Sequence, residues 1–233
     1  MRWVILDTET TGLDPDHGHR VIEIGAVEVV NRSITGRDFH AYLNPDRDSD
    51  AGALEVHGLT TEFLQDKPRF KDVAQELLDF IRDAELIIHN APFDLKFLDS
   101  ELKRLGLSDL RSYSGPVTDS LAHAKSLYPG KRNSLDALCE RYGISNVHRT
   151  LHGALLDSRL LAEVWLAMTR GQDSLAIEDE VHPGKTLAPE KRRFYDLPVI
   201  EISAQEIEAH EQYLQALDKA SGDKTLWRAV QAQ

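Results

Sequence analysis

A short apolar run that ends in two acidic residues constrains the fold of this 233-residue sequence more than any other feature. The segment Trp3–Asp7 reads WVILD, which is typical of a strand buried in the interior of a sheet. Glu9 follows two residues after Asp7, and residues two apart in a strand point to the same face. The sequence therefore predicts a core strand that brings the carboxylates of Asp7 and Glu9 to one point at its end.

Alternating, β-branched segments predict further strands around the first one. Val21–Val30 and Phe39–Leu43 predict a three-stranded meander, with turn residues over Asn31–Gly36. Two more short strands are expected at Glu85–His89 and Pro116–Asp119. Helical spacing of apolar residues predicts helices at Val73–Ile81, Phe93–Leu105, Ser120–Tyr128, Ser134–Tyr142 and His152–Met168. Strands first, then strands alternating with helices, predict an α/β fold with a mixed central sheet flanked by helices.

The amino-acid composition changes after Met168. Residues 171–193 have few large apolar side chains and contain two prolines, two glycines and an acidic run, which indicates a flexible linker. Beyond it, Ser203 to Glu206 (SAQE) is a capping box that predicts a helix to about Leu217. We therefore expect a folded domain at 1–170, a flexible linker at 171–193 and a separate C-terminal segment at 194–233.

The charge and cysteine content limit the class of protein. A net charge of −12 is unusual for a chain that holds nucleic acid by itself, since such proteins are usually basic. Cys139 is the only cysteine, so no internal disulfide can form, as expected in a reducing compartment. No stretch resembles a signal peptide or approaches the ~20 apolar residues that span a bilayer. We expect a cytoplasmic protein that does not enter a membrane.

Two further acids are expected at the edges of adjacent core elements. Asp94 opens the helix after the strand ELIIH, and Asp157 lies one turn into the last long helix. With Asp7 and Glu9 they offer the oxygen ligands that hard divalent cations prefer, and two such ions can promote phosphodiester hydrolysis. His152 shares this site only if it precedes the helix, because five helical residues span about 140°. Each motif alone also fits a solvated loop or a helix cap.

In combination, three motifs resemble a known superfamily. DTETTG, HNAPFD and LHGALLDS, in this order, are similar to the three exonuclease motifs of the DEDD superfamily in its histidine variant. IEIGAVEVVNR, VHGL, VTDSLA and PGKRNSLDALCERY are similar to the proofreading exonuclease subunits of bacterial DNA polymerase III. The resemblance covers residues 3–170 and, more loosely, the tail with LWRA. It implies a ribonuclease-H-like fold and the release of single nucleotides from DNA 3′ ends, single-stranded or mispaired.

The resemblance also implies roles for individual residues. Asp7, Glu9, Asp94 and Asp157 would hold two divalent cations, Mg²⁺ or Mn²⁺, with Asp94 bound directly or through a water. His152 would be the general base, which suits a side chain that accepts a proton near neutral pH. The terminal nucleotide would bind a pocket formed by Thr8, Glu9, Thr10, Gly12, His57 and His152. For His57, packing in a loop is the alternative.

Two protein partners are implied as well. The C-terminal segment 194–233 would bind the catalytic (alpha) subunit of the polymerase. Gln172, Leu175 and Ile177, within QDSLAI, resemble a peptide that binds the sliding clamp, although the family form usually ends in an aromatic residue. One alternative function is a 3′→5′ exoribonuclease of the same superfamily, which the long tail after Met168 argues against. Another is an inactive adaptor that stabilises a polymerase, which would not need five clustered titratable groups.

Overall fold

A mixed sheet lies at the centre of the computed structural model, which describes residues 1–147, 151–170 and 203–221. Within these residues the sheet has five strands in the order β3-β2-β1-β4-β5. The strands are β1 Arg2–Thr10, β2 Val21–Val30, β3 Ser33–Tyr42, β4 Glu85–Ile88 and β5 Val117–Asp119. β1, β2 and β3 form an antiparallel meander, while β4 and β5 continue the sheet in parallel with β1. The predicted mixed sheet is confirmed.

Helices cover both faces of this sheet. The described helices of residues 1–179 are α1 Ala51–His57, α2 Thr61–Leu64, α3 Phe70–Ile81, α4 Ala91–Arg104, α5 Ser120–Leu127, α6 Leu135–Tyr142 and α7 Ala154–Met168. A further helix, α8 Ala204–Ser221, belongs to the C-terminal part of the chain. On β1, Val4 and Leu6 belong to one core cluster with α3 and α4. Trp3 and Ile5 point the other way and belong to a second cluster with α6 and α7. Burial from both sides explains why this strand is a continuous apolar run.

The hairpin between β2 and β3 is tighter than the sequence predicts. Only Asn31 and Arg32 form the turn, and both have positive φ, 48° and 63°. Ser33 already pairs with Val30, so β3 begins six residues before the predicted Phe39. Residues 33–38 are exposed on an edge strand, which tolerates the polar residues that resemble a turn. The predicted turn over Asn31–Gly36 is therefore too long.

The sequence does not predict α1 and α2. α1 has only seven residues, and the side chain of its N-cap residue, Asp50, makes no capping hydrogen bond. His57 is the only buried residue of α1, so this helix lacks the apolar stripe from which amphipathic helices are recognised. α1 nevertheless matters, because it carries one of the predicted substrate-binding residues.

The chain divides into two units, residues 1–179 and residues 180–233. In the second unit the described part is α8 with the residue before it. Ser203 N donates to the Glu206 carboxylate at 2.9 Å and Glu206 N donates to the Ser203 hydroxyl at 3.3 Å, which is the predicted capping box. The predicted linker 171–193 lies outside the described residues, so the division into 1–170, 171–193 and 194–233 stays a prediction. Of the helices that are described, none is long and apolar enough to cross a membrane.

Candidate active site

The site forms where β1 continues past its parallel neighbour. β1 pairs with β4 only as far as Leu6 and Ile88, whereas its pairing with β2 continues to Thr10. Among the strands that the structure describes, Asp7 and Glu9 therefore have β2 on one side of β1 and none on the other. In open α/β sheets, ligands bind at such carboxyl ends of strands.

A sharp turn after β4 places Asp94 beside this opening. Asn90 has a left-handed backbone, φ 69°, and its N–H donates to Asp119 Oδ1 at 3.1 Å. Asp119 also accepts from Leu121 N at 2.9 Å, so this carboxylate joins the turn to the start of α5. Asp94 is buried in the first turn of α4 and accepts a hydrogen bond from the Thr8 hydroxyl at 2.7 Å. Burial raises the pKa of Asp94 to about 7, although the hydrogen bond from Thr8 opposes this shift.

A close backbone contact positions Asp157. The first turn of α7 lies against Gly25 of β2, where a Cβ atom would be 2.2 Å from the nitrogen of Leu155. The Ser158 hydroxyl donates to the carbonyl oxygen of Gly25 at 2.9 Å. Because Gly25 pairs with Asp7 across the sheet, this contact brings the start of α7, with the buried Asp157, next to the acids of β1. Gly25 was not predicted to position the site, although a glycine in a strand otherwise rich in β-branched residues often marks close backbone approach.

His152 precedes α7, as the sequence requires if it is to share a site with Asp157. Gly153 is the N-cap residue, and the backbone N–H of His152 donates to the carbonyl of Val56 in α1 at 3.1 Å. His152 Nδ1 lies 3.4 Å from Asp157 Oδ2. Ligand atoms of Glu9, His152 and Asp157 lie within 4.8 Å of one another, a spacing that could hold a metal ion.

Two adjoining clefts share Glu9 of this cluster as a wall residue. The first, of about 500 Å³, is lined by all four predicted carboxylates and by His152. The second, of about 470 Å³, is lined by five of the predicted substrate-binding residues, Thr8, Glu9, Thr10, Gly12 and His57. Thr8, Glu9 and Phe93 belong to both walls. The structure therefore brings together every predicted site residue that it describes. Gln172, Leu175 and Ile177 lie outside the described residues.

His57 presents one ring nitrogen without an internal partner. The side chain is buried, and its Nδ1 accepts a hydrogen bond from Leu59 N at 2.9 Å, which places the ring proton on Nε2. Among the described residues, Nε2 has no hydrogen-bond partner. Burial lowers the pKa of His57, so the ring is neutral at pH 7. The second cleft thus contains a buried N–H donor.

Gly12 also lines the second cleft. A Cβ atom at Gly12 would lie 2.3 Å from the ring of His19. His19 is 3.1 Å from the Thr11 hydroxyl through Nδ1 and 3.4 Å from Asp50 through Nε2. Asp50 directly precedes α1, and its N–H donates to the carbonyl of Thr11 at 2.8 Å. Gly12 therefore allows the contacts that hold the start of α1 over the cleft.

Comparison with known proteins defines the class first. A family model described as exonuclease (RNase_T) matches residues 4–165, so the chain belongs to this exonuclease family, which depends on divalent metals. Exonuclease X in complex with 5′ overhanging duplex DNA has a similar fold, with a TM-score of 0.58 and 24% identity over 73% of this chain and 92% of that one. The nuclease domain of 3′hExo, a DEDDh family member bound to rAMP, is also similar, with a TM-score of 0.63 and 18% identity over 72% of this chain and 92% of that one. These two structures support the ribonuclease-H-like fold.

Closer relatives define the particular family. The DNA polymerase III subunit epsilon of Pasteurella multocida (strain Pm70) is 49% identical over 235 residues, 97% of this chain and 93% of the relative. That of Escherichia coli (strain K12) is 51% identical over 238 residues, 98% of both chains. The chain therefore belongs to the DNA polymerase III subunit epsilon family and is a 3′→5′ exonuclease.

Proposed function

We propose that the chain removes mispaired nucleotides from DNA 3′ ends by two-metal-ion hydrolysis, as the proofreading subunit of a replicative DNA polymerase III. The observation that carries the proposal is the convergence of Glu9, His152 and Asp157 within 4.8 Å, beside a wall shared by two clefts. Membership of the epsilon family supports DNA as the substrate and a polymerase as the partner. Replication of a bacterial chromosome would place the chain in the cytoplasm.

The residues of the first cleft suit two divalent cations, Mg²⁺ or Mn²⁺. Asp7, Glu9, Asp94 and Asp157 offer the carboxylate oxygens that these hard ions prefer. A cation near Asp94 would favour its charged form and so offset the effect of burial on its pKa. When bound, such ions supply a water of lowered pKa and a positive charge beside the leaving oxygen.

His152 accepts the proton of the attacking water in this proposal. The carboxylate of Asp157, 3.4 Å from Nδ1, favours a proton on that nitrogen and leaves Nε2 unprotonated. The side chain of His152 is 45% exposed, so the proton can pass to solvent after each turnover. A neutral imidazole is an effective general base near neutral pH.

The second cleft holds the 3′-terminal nucleotide. Thr8 and Thr10 shape it through internal hydrogen bonds, since the Thr8 hydroxyl donates to Asp94 and the Thr10 hydroxyl donates to the carbonyl of Gly12 at 2.6 Å. His57 Nε2–H is the donor that the cleft offers to the nucleotide. The scissile phosphate then lies at the shared wall, beside Glu9.

One substrate comparison tests the reaction. The purified chain, with Mg²⁺ or Mn²⁺, should digest single-stranded DNA and mispaired primer ends from the 3′ end, and paired ends more slowly. Asp7→Ala should abolish hydrolysis while the circular dichroism spectrum stays that of a folded protein. Faster digestion of RNA than of DNA would favour the exoribonuclease alternative, and a folded chain without activity would favour the adaptor.

The two protein partners are proposed from separate segments. Residues 194–233 bind the alpha subunit, and the exposed Ile207 and Tyr213 of α8 suit an apolar contact. Gln172, Leu175 and Ile177 bind the sliding clamp. Residues 1–180 alone should digest short single-stranded DNA at the full-length rate and fail to co-elute with the alpha subunit, whereas residues 190–233 should co-elute. Tight binding of the truncated enzyme to the alpha subunit would contradict this division.

A further inference from the structure

A third cleft shares a wall residue with the first one, and it is basic. It measures about 440 Å³ and lies beside the loop between α5 and α6, with Lys131, Arg132 and Arg141 in its wall together with Glu140. Lys131 also lines the first cleft, together with Lys125. Shared wall residues thus link the predicted nucleotide pocket, through the cleft of the carboxylates, to a cluster of cations, and we refer to this series of clefts as the path.

Hydrogen bonds hold the backbone of this basic loop in place. Asn133 is buried, and its Nδ2 donates to the carbonyl of Tyr128 at 3.2 Å and to that of Lys131 at 3.1 Å. Arg141 donates from Nη1 to Asn133 Oδ1 at 3.0 Å and from Nη2 to the carbonyl of Arg132 at 2.7 Å. Its guanidinium also stacks 4.3 Å from the centre of the Tyr128 ring. The side chains of Asn133 and Arg141 therefore fix the backbone of Lys131 and Arg132, while the side chains of Lys131 and Arg132 are exposed.

The exposed cations of this path are not neutralised by carboxylates. Many other cations of the first unit are paired, such as Arg20 with Glu101 at 2.6 Å and Lys96 with Asp14 at 2.7 Å. Within the described residues, the side chains of Lys125, Lys131 and Arg132 have no ion-pair partner. In a chain with a net charge of −12, cations left unpaired beside a cleft favour an anionic ligand.

We propose that Lys125, Lys131 and Arg132 bind the phosphodiester backbone of the substrate strand on the 5′ side of the bond that is cut. The inference rests on the proposed function, which puts the terminal nucleotide in the second cleft and the scissile phosphate beside Glu9. The remainder of the strand then leaves through the first cleft toward the basic loop. Backbone contacts carry no sequence information, as suits an enzyme that removes any mispaired nucleotide.

The test compares a short and a long single-stranded substrate in the full-length chain. The double variant Lys131→Ala/Arg132→Ala should lower the ratio of kcat/KM for a 12-mer to kcat/KM for a dinucleotide, because only the 12-mer reaches the loop. Each lost phosphate contact lowers the slope of log affinity against log salt by about 0.7 for single strands. Two contacts lower it by about 1.4, so between 50 and 200 mM salt the wild-type KM should rise about sevenfold more than that of the variant.

A charge-matched control separates binding from general electrostatics. Lys103→Ala/Arg104→Ala removes the same charge from the exposed last turn of α4 and should keep the wild-type ratio and salt slope. Lys131→Arg/Arg132→Lys keeps the charge of the loop and should therefore show the wild-type ratio and the wild-type salt slope. An unchanged ratio and slope in the alanine variant would overturn the proposal, and so would an equal loss on both substrates.

A direct binding measurement keeps this proposal distinct from the proposed function. Fluorescence anisotropy of a labelled 12-mer, with Ca²⁺ in place of Mg²⁺, reports the salt slope without turnover. If the wild type hydrolyses neither substrate, the proposed function fails, while the anisotropy slopes still decide whether the loop binds the strand. Equal salt slopes for the wild type and the alanine variant would refute strand binding. If the alanine variant also bound the alpha subunit more weakly, the loop would be assigned to that protein partner.

Discussion

Replacing Gly25 with alanine tests whether the close contact of α7 with the sheet determines the rate of hydrolysis. The new Cβ atom would lie 2.2 Å from Leu155 N and 2.3 Å from the carbonyl carbon of Ala154, whereas ordinary contact begins at 3.4 Å. Both neighbours are backbone atoms, so no side-chain rotation relieves the clash. The helix and strand must separate by about 1 Å, and overpacking of this kind costs about 1–3 kcal/mol of stability.

The separation acts on the site through Asp157. This residue lies in the first turn of α7, the part of the helix that the new methyl group displaces. A misplacement of about 1 Å in a catalytic arrangement can lower the rate about 10²-fold. We therefore expect the Gly25→Ala variant to fold, to melt a few degrees lower, and to lose about two orders of magnitude in kcat on single-stranded DNA.

A second glycine variant supplies the control. Gly36 has φ 83°, and within the described residues no heavy atom beyond its two chain neighbours lies within 4 Å of the position that a new methyl group would take there. Gly36→Ala therefore introduces backbone strain of about 1–2 kcal/mol without moving α7. Steady-state kinetics and thermal melting of both variants separate displacement from loss of stability. Wild-type kcat in Gly25→Ala, or an equal loss of kcat in Gly36→Ala, would refute the reasoning.

Three other changes probe the remaining parts of the proposal. His152→Ala should lower kcat about 10²–10⁴-fold, as general-base loss does, and an unchanged pH–rate profile would remove His152 from that role. Since burial raises the pKa of Asp94 above its unfolded value, its contribution to the stability of the metal-free protein is lost as pH rises through about 7. Asp94→Asn should therefore melt higher than the metal-free wild type at pH 8.5, with a smaller difference toward pH 4; a pH-independent difference would contradict this. Gln172→Ala/Leu175→Ala should weaken clamp binding and spare hydrolysis, and identical clamp affinity would leave the segment as plain linker.

The sequence predicts β1 and its two acids because the relevant information is local. A period of two residues fixes the common face of Asp7 and Glu9 whatever surrounds the strand. For His152 and Asp157 the sequence predicts only a condition. The two side chains can share a site if His152 precedes the helix, because five helical residues would turn them about 140° apart. The structure meets the condition with Gly153 as the N-cap residue of α7.

The parts that the sequence does not predict depend on contacts between distant residues. Nothing near Gly25 in the sequence indicates that α7, more than 120 residues later, lies against it. The helix α1 is equally hard to foresee, since its placement depends on His19 and Asp50 rather than on an apolar stripe. The tight turn at Asn31 and Arg32 was obscured because an edge strand can contain the same polar residues as a turn.

The distribution of charge explains how so acidic a chain can act on DNA. If the four carboxylates of the first cleft hold divalent cations as proposed, those ions would offset the repulsion between the carboxylates and a phosphodiester, so strand binding and metal binding would be coupled. Lys125, Lys131 and Arg132, which have no ion-pair partner in the part of the chain that the structure describes, lie at one end of the path and supply only a few phosphate contacts. Intrinsic affinity for DNA should then be weak. Weak affinity agrees with the proposed binding to the alpha subunit, because tethering to a polymerase would raise the effective concentration of the 3′ end to about the millimolar range.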